Sequence, residues 1–395
     1  MILASKRIQR VAFSPVRKVR DRAKELEAAG RSIIHFEIGE PDFDTPEVIV
    51  ASAKRAMDDK LTHYGPNRGT IELRREICKK LREENGLTYN PETDILLTAG
   101  AAEGILDAIL AYIDEGDEVI VFTPAYMNYR NMLNLVGAKT VEIPLSEENN
   151  FQIDPKELED RITDKTKMLI INDPQNPSGT VYDPCVLEQI AKIAVKHDLL
   201  VLSDEIYERI IYDGVVHTSI ATFPGMKERT IVINGFSKAY AMTGWRVGYV
   251  ATEGQLLLPI LKLHQYNTTC LPVFVQRSLS EQMNSTACKK AIDNMVSEFS
   301  HRRKLICDGI RQTKGLSMPE PRGAFYAFVN VRGLGVDGAE FAEALLEEVG
   351  VAVVPGIAFG EAFSGYVRLS YAASTNEIAE GIMRIHTFVN KMSLA

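Results

Sequence analysis

The stretch "KMLIINDPQNPSGTVYDPCVLEQIAKIAVKHDLLVLSDE", residues 167–205, decides the fold. It opens on a short apolar run, "KMLIIN" (167–172), and closes on another, "LLVLSDE" (199–205), with "DPCVLEQIAKIAVKHD" (183–198) reading as one helix between them. The apolar runs are continuous rather than alternating, so they predict strands buried on both faces. Strand, helix and strand in that order make a βαβ unit, whose two strands lie parallel with the helix packed over them. The rhythm extends outward to "EVIVF" (118–122), "TIVING" (230–235) and "RVGYVA" (246–251). The expected fold class is therefore α/β, with a mostly parallel sheet flanked by helices.

With 395 residues the chain exceeds the size at which one core usually stops growing, which predicts a large domain and a smaller one. Beyond about residue 281 the pattern changes to a long helical segment, a strand-like "GAFYAFVNV", a helix "GAEFAEALLEEVG", then "YVRLSYA" and a final helix. This predicts a small α+β domain from residues 1–48 and 286–395 beside a large domain of residues 49–285. The first 48 residues, with the Pro-rich "GEPDFDTP", are too few to fold alone.

A formal net charge of −8 gives no electrostatic footprint for nucleic acid or an anionic membrane, and small molecules remain as partners. The five cysteines (Cys78, Cys185, Cys270, Cys288, Cys307) are scattered and form no C-x-x-C pair, which fits a reducing cytoplasm better than a disulfide framework or a zinc site. No run reaches the roughly 18 apolar residues of a membrane span, and "MILASKRIQR" lacks a signal-peptide core. None of the seven histidines falls into a metal spacing, so no metal is expected.

Ligands of an open parallel sheet sit beyond the carboxyl ends of its strands, and four strand ends here carry polar residues. They supply Asn172, Asp173 and Asn176; Asp204 and Tyr207; Ser237 and Lys238; and the turn Gly100-Ala101-Ala102 before a helix. Small side chains at a helix start favour a phosphate, although the same turn also serves plain packing. Lys238 reads either as an exposed loop ammonium or as an amine that forms a Schiff base. Asp204 reads either as a helix cap or as a carboxylate that keeps a pyridine nitrogen protonated. Taken together, a phosphate turn, a lysine, an aspartate, a phenol and an amide describe a pyridoxal phosphate site.

The segment "GFSKAYAMTGWRVG" (235–248) resembles the pyridoxal-phosphate attachment signature of the class I aminotransferases. The similarity runs the length of the chain through "GEPDFDTP", "HYGPNRGTIELRREI", "TPAYMNY", "NPSG", "SDEIYE", "GAFYAF" and "YVRLSYA". The resemblance implies a fold type I, aspartate/aromatic-aminotransferase-like enzyme. It would move the α-amino group of an L-amino acid to a 2-oxo acid such as 2-oxoglutarate in a ping-pong cycle. It further implies that Lys238 bonds the cofactor and moves the substrate α-proton, and that Asp204 pairs with the ring nitrogen. Asn176 and Tyr207 would bind the ring's phenolic oxygen, and Tyr126 would lie against the ring. Gly100, Ala101, Ala102, Ser237 and Arg246 would hold the phosphate. Arg368 would bind the substrate carboxylate, with Asn176 and Gly39 beside it. Tyr64 would reach the phosphate of a neighbouring subunit, which makes the protein a homodimer with shared sites.

Three features depart from the family pattern: Gln175, Gly104 after Glu103, and the absence of Lys or Arg from the helix "AEGILDAILAYI". The last predicts a neutral or aromatic donor at least as readily as aspartate, because some aspartate-using relatives meet the second carboxylate with a base on this helix. Rival readings are a lyase or synthase on the same scaffold, and a non-catalytic ligand-binding relative.

Overall fold

The computed structural model describes residues 3–392. Its strands are β1 (Ile34–His35), β2 (Ile95–Thr98), β3 (Glu118–Thr123), β4 (Lys139–Pro144), β5 (Thr166–Asn172) and β6 (Leu200–Asp204). They continue with β7 (Thr230–Gly235), β8 (Gly248–Ala251), β9 (Tyr326–Asn330), β10 (Val351–Ala352), β11 (Val354–Pro355) and β12 (Tyr366–Ser370). Seven of them form a central sheet in the order β2-β8-β7-β6-β5-β3-β4. The ladders from β7 to β4 are all parallel, and the apolar runs of β5, β6 and β7 are buried on both faces, as their continuity predicts.

β8 runs the other way, antiparallel to both β7 and β2. A parallel return from β7 would need a crossover, usually a helix, of a dozen residues or more. The β7–β8 connection is Phe236–Val247, whose only helical element is the single turn Thr243–Trp245, so the chain doubles back instead.

The helix Pro184–Lys196 lies between β5 and β6 and buries Leu187, Ile190, Ala191, Ile193 and Ala194. Asp183 stands at its N-cap position with proline at the first turn, where the missing N–H costs nothing. Truncating Leu187 would leave a cavity worth about 2–5 kcal/mol.

The remaining strands make two small sheets, β1 with β10 in parallel and β11-β12-β9 antiparallel. The 27-residue helix Thr286–Gln312, capped by the Ser285 hydroxyl, packs with the final helix Thr375–Met392 over these sheets. Phe36, Phe299, Phe325, Val351, Val367 and Ile385 form their shared core, and Tyr207 and Ile210 from the end of the large sheet join it. Residues 1–2 and 393–395 of the expected small domain lie outside the described residues.

Candidate functional site

A cavity of about 410 Å³ opens where the carboxyl ends of β5, β6 and β7 meet the start of the helix Ala101–Tyr112. Its lining includes Gly39, Ala101, Ala102, Tyr126, Asn172, Asn176, Asp204, Tyr207, Ser237, Lys238, Arg246 and Arg368. The fold thus gathers nearly all the residues singled out from the sequence.

The register explains the convergence. Asn172 stands beside Asp204, and Asp204 beside Ile233, across neighbouring parallel strands. Asn172 donates through Nδ2 to the Asp204 carbonyl at 2.9 Å, while its Oδ1 accepts the Asn176 N–H at 2.8 Å. The pleat sends alternate side chains to opposite faces, so the next residues, Asp173 and Glu205, turn away from the cavity. Asp173 accepts the Tyr182 N–H at 3.0 Å and leaves the candidate set. Burial holds its carboxyl well above the usual carboxylate range. Gln175 also points elsewhere, donating to the Tyr182 hydroxyl at 3.0 Å.

Asp204 is 4% exposed. Its Oδ2 accepts the Tyr129 hydroxyl at 2.6 Å and its Oδ1 the Ile206 N–H at 3.3 Å. Burial pushes the carboxyl up to about 6, against the pull of those two donors and of Lys238. A turn rather than an α-helix follows it, which removes the helix-cap reading. Lys238 donates to the Gly39 carbonyl at 2.6 Å, with its Nζ 5.9 Å from the Tyr207 ring centre and 5.8 Å from that of Phe325. Part of its surface faces the cavity, yet protein atoms surround it, and this desolvation lowers its amine to about 8. The exposed-ammonium reading is thereby removed.

Arg368 comes from β12, opposite the sheet. It is 3% exposed, donates to the Glu37 carbonyl at 2.7 Å and to Asn176 Oδ1 at 3.2 Å, and lies 4.6 Å from the Tyr326 ring centre. Its Nε has no partner among the described residues. The Tyr207 and Tyr326 hydroxyls are 2.8 Å apart. A Cβ at Gly39 would come within 2.5 Å of the Tyr326 hydroxyl, so only glycine lets the N-terminal segment approach this closely. Gly100, at φ +81, is fixed in the same way by the Arg246 guanidinium, which fills the space a Cβ would need. Gly104 packs against the sheet, where a Cβ would meet Val250 at 3.0 Å, and this accounts for its departure from an ordinary helix former.

Tyr64 does not join the cavity; it is 90% exposed. Sequence reading assigned no role to Tyr129 or Tyr326, although both lie in the quoted motifs "TPAYMNY" and "GAFYAF". The histidine spacing also missed two clusters that only folding creates, His264 with Glu103 and Asp107, and His217 with Glu205 and Glu208. In the second cluster the ammonium of Lys80 already pairs with Glu208.

A family model described as aminotransferase class I and II matches residues 31–385. The chain belongs to the class I and II aminotransferases. It is 43% identical to an aspartate aminotransferase of Pyrococcus abyssi and 41% identical to aromatic-amino-acid aminotransferase 2 of Thermococcus litoralis, each match covering 99% of both chains. Among solved structures, the aromatic aminotransferase of Pyrococcus horikoshii superposes with a TM-score of 0.90 at 43% identity, over 94% of this chain and all of that one. The Thermus thermophilus aspartate aminotransferase with maleate gives 0.94 at 36% identity, over 98% and all. The protein is an enzyme that transfers amino groups, and the lyase, synthase and non-catalytic readings fall away.

Proposed function

We propose that this aminotransferase works with pyridoxal 5′-phosphate and that aromatic or other neutral amino acids serve it as donors at least as well as aspartate. The carrying observation is that Lys238, Asp204 and Arg368, from three different elements, line one cavity. The residues present fit the cofactor. The start of the helix Ala101–Tyr112 leaves N–H groups without intrahelical carbonyls beside Ser237 and Arg246, which suits a phosphate. Asp204 offers a buried carboxylate for a ring nitrogen, Asn176 and Tyr207 offer donors for a ring oxygen, and Tyr126 offers an aromatic wall. When bound, the group withdraws electrons from the donor's Cα and carries nitrogen from donor to acceptor.

The chain's own residues do the rest. Lys238 would hold the group through its amine and, when free, take the proton at the donor's Cα and return it. An amine brought down to about 8 by burial has its neutral form within reach near neutral pH. Arg368 would clamp the α-carboxylate common to all donors, and its unpartnered Nε gives it a hydrogen bond still to make. Beyond that clamp the walls come from Ser14, Val16, Ile105, Tyr126 and Met127, while the lining cations among the described residues are Lys238, Arg246 and Arg368. With each of these engaged elsewhere, a donor's second carboxylate would go unpaired, at an energetic cost a neutral side chain avoids.

The assembly we propose is a homodimer in which the exposed Tyr64 reaches the partner's phosphate. Residues 49–285 form the cofactor-binding domain and residues 1–48 and 286–395 the small domain. The free cysteines fit a cytoplasmic setting. The acceptor is a 2-oxo acid, with 2-oxoglutarate the first to try. The test is a half-reaction. Donor alone should change the absorbance of the cofactor-loaded enzyme stoichiometrically, and 2-oxoglutarate should restore it. Continuous release of ammonia with no acceptor present would overturn the reading.

A further inference from the structure

The corner of the cavity assigned to the phosphate is the turn 99–102, and what shapes it lies behind it. Gly100 donates its N–H to the Thr98 carbonyl at 2.7 Å, and the Thr98 hydroxyl donates to the Gly100 carbonyl at 3.0 Å. The Ala99 N–H is taken by Oε2 of Glu103, three residues beyond the helix N-cap Gly100. This is the reach-back of a capping box carried one residue further out. The other oxygen, Oε1, receives His264 Nδ1 at 3.0 Å and the Thr268 hydroxyl, both from the helix Gly254–Asn267 and its cap. On the cavity side, Arg246 donates to the Ala99 carbonyl at 3.4 Å. Ala99 is therefore held from behind by Glu103 and in front by Arg246.

Glu103 is 8% exposed and does not line the cavity, whereas Ala101, Ala102 and Ile105 on the same helix do. A carboxylate one turn from an anion site would repel the anion if it faced it. Here its oxygens face away, toward three donors. Those same bonds occupy the lone pairs that a cation shared with Asp107 and His264 would need.

We infer that Glu103 is a positioning residue, which sets the turn 99–102 so that the Ala101 and Ala102 N–H groups and Arg246 receive a phosphate. The inference rests on the pyridoxal phosphate reading above. It predicts an effect on the phosphate half of the cofactor alone, which general loosening of the fold would not produce.

The test uses the full-length chain stripped of cofactor. Dissociation constants for pyridoxal phosphate and for pyridoxal, which lacks the phosphate, are measured by absorbance titration in the native protein, Glu103→Ala and Glu103→Gln. Loss of the buried acceptor should weaken pyridoxal phosphate about tenfold or more in Glu103→Ala, with pyridoxal changed less than about twofold. Glu103→Gln retains an acceptor for the Ala99 N–H and should fall between. If Glu103→Ala does not fold, Glu103→Gln carries the test through the same ratio. Equal weakening of both ligands, or no weakening of pyridoxal phosphate, would overturn the inference. A native protein that binds neither would overturn the cofactor reading beneath it.

Discussion

The two walls of the cavity are built by different means. One wall is the carboxyl edge of the central sheet, where Asn172, Asp204 and Lys238 stand on or just beyond strands locked by parallel ladders. The other comes from Ser14 and Val16 at the start of the helix Pro15–Ala28 and from residues 37–45, which carry little secondary structure of their own and are tied down by side chains. Lys238 reaches Gly39, Arg368 reaches Glu37, the Thr45 hydroxyl donates to the Ala241 carbonyl at 2.8 Å, and Trp245 Nε1 donates to Thr45 at 2.9 Å. On the proposed reading the sheet wall, with Arg368 facing it from β12, carries the groups that every donor needs. The tethered wall, with Ser14 and Val16, would meet the part in which donors differ. Substitutions on the first should lower all activity together, and those on the second should change donor ranking or merely the tether.

Lys238→Ala tests the sheet wall hardest. On the proposed reading, removing the amine takes away the proton carrier at the donor's Cα, a loss worth about 10²- to 10⁴-fold in kcat. Circular dichroism should show an intact fold. Turnover near the native rate would mean that the sheet wall is not where the proton moves.

Arg368→Lys should cost less, because a charge remains but the planar fork is lost. A charge-assisted pair of this kind contributes about 1.5–3 kcal/mol, so kcat/KM should fall about 10- to 150-fold. The fall should be the same for tyrosine, phenylalanine, alanine and aspartate, since on the proposed reading Arg368 meets only what they share. A loss confined to one donor would put Arg368 on the selecting wall.

The same contrast explains what was legible in the sequence. Asp204 and Lys238 could be read because each stands at the end of a strand-like apolar run, where a polar residue stands out, whereas Arg368 is reached only through the resemblance carried by "YVRLSYA". The antiparallel turn of β8 was not legible from its composition, which is as apolar as that of its neighbours; only the missing crossover helix separates them. Asp173 and Asp204 look alike as strand-end acids, and pleat parity alone sends one in and the other out. Tyr129 and Tyr326 sit among other aromatics and signal core packing until the fold sets Tyr129 on Asp204. The Glu103–His264 contact joins residues 161 positions apart, and no local pattern announces it.

Donor ranking examines the selecting wall directly. With no further cation lining the cavity among the described residues, tyrosine, phenylalanine and alanine should match or exceed aspartate in kcat/KM under one acceptor. An aspartate preference of two orders of magnitude or more would refute this and point to a charge supplied by a second subunit.

The smallest expected effect concerns how the tethered wall is held, and it is read as stability against pH. His35 on β1 lies between Glu37 Oε1, 2.8 Å from its Nδ1, and Glu27 Oε1, 3.1 Å from its Nε2, with Glu377 near enough to feel its charge. The hydrogen bond to Glu37 is the chief cause that raises the imidazole to about 9, with Glu27 adding to it against partial burial. A folded value above the unfolded one, 6.5, means that the folded chain keeps a proton the unfolded chain loses. The extra stability is complete below pH 6.5 and disappears as the pH rises through about 9. His35→Gln can still hydrogen-bond but does not titrate, so the difference in Tm between native and variant should shrink across that window. Because a quarter of the side chain meets solvent, screening keeps the change to a few degrees at most. A difference that stays constant from pH 6 to 10 would show that the charge on the imidazole contributes nothing to the tether, leaving only its hydrogen bond to Glu37.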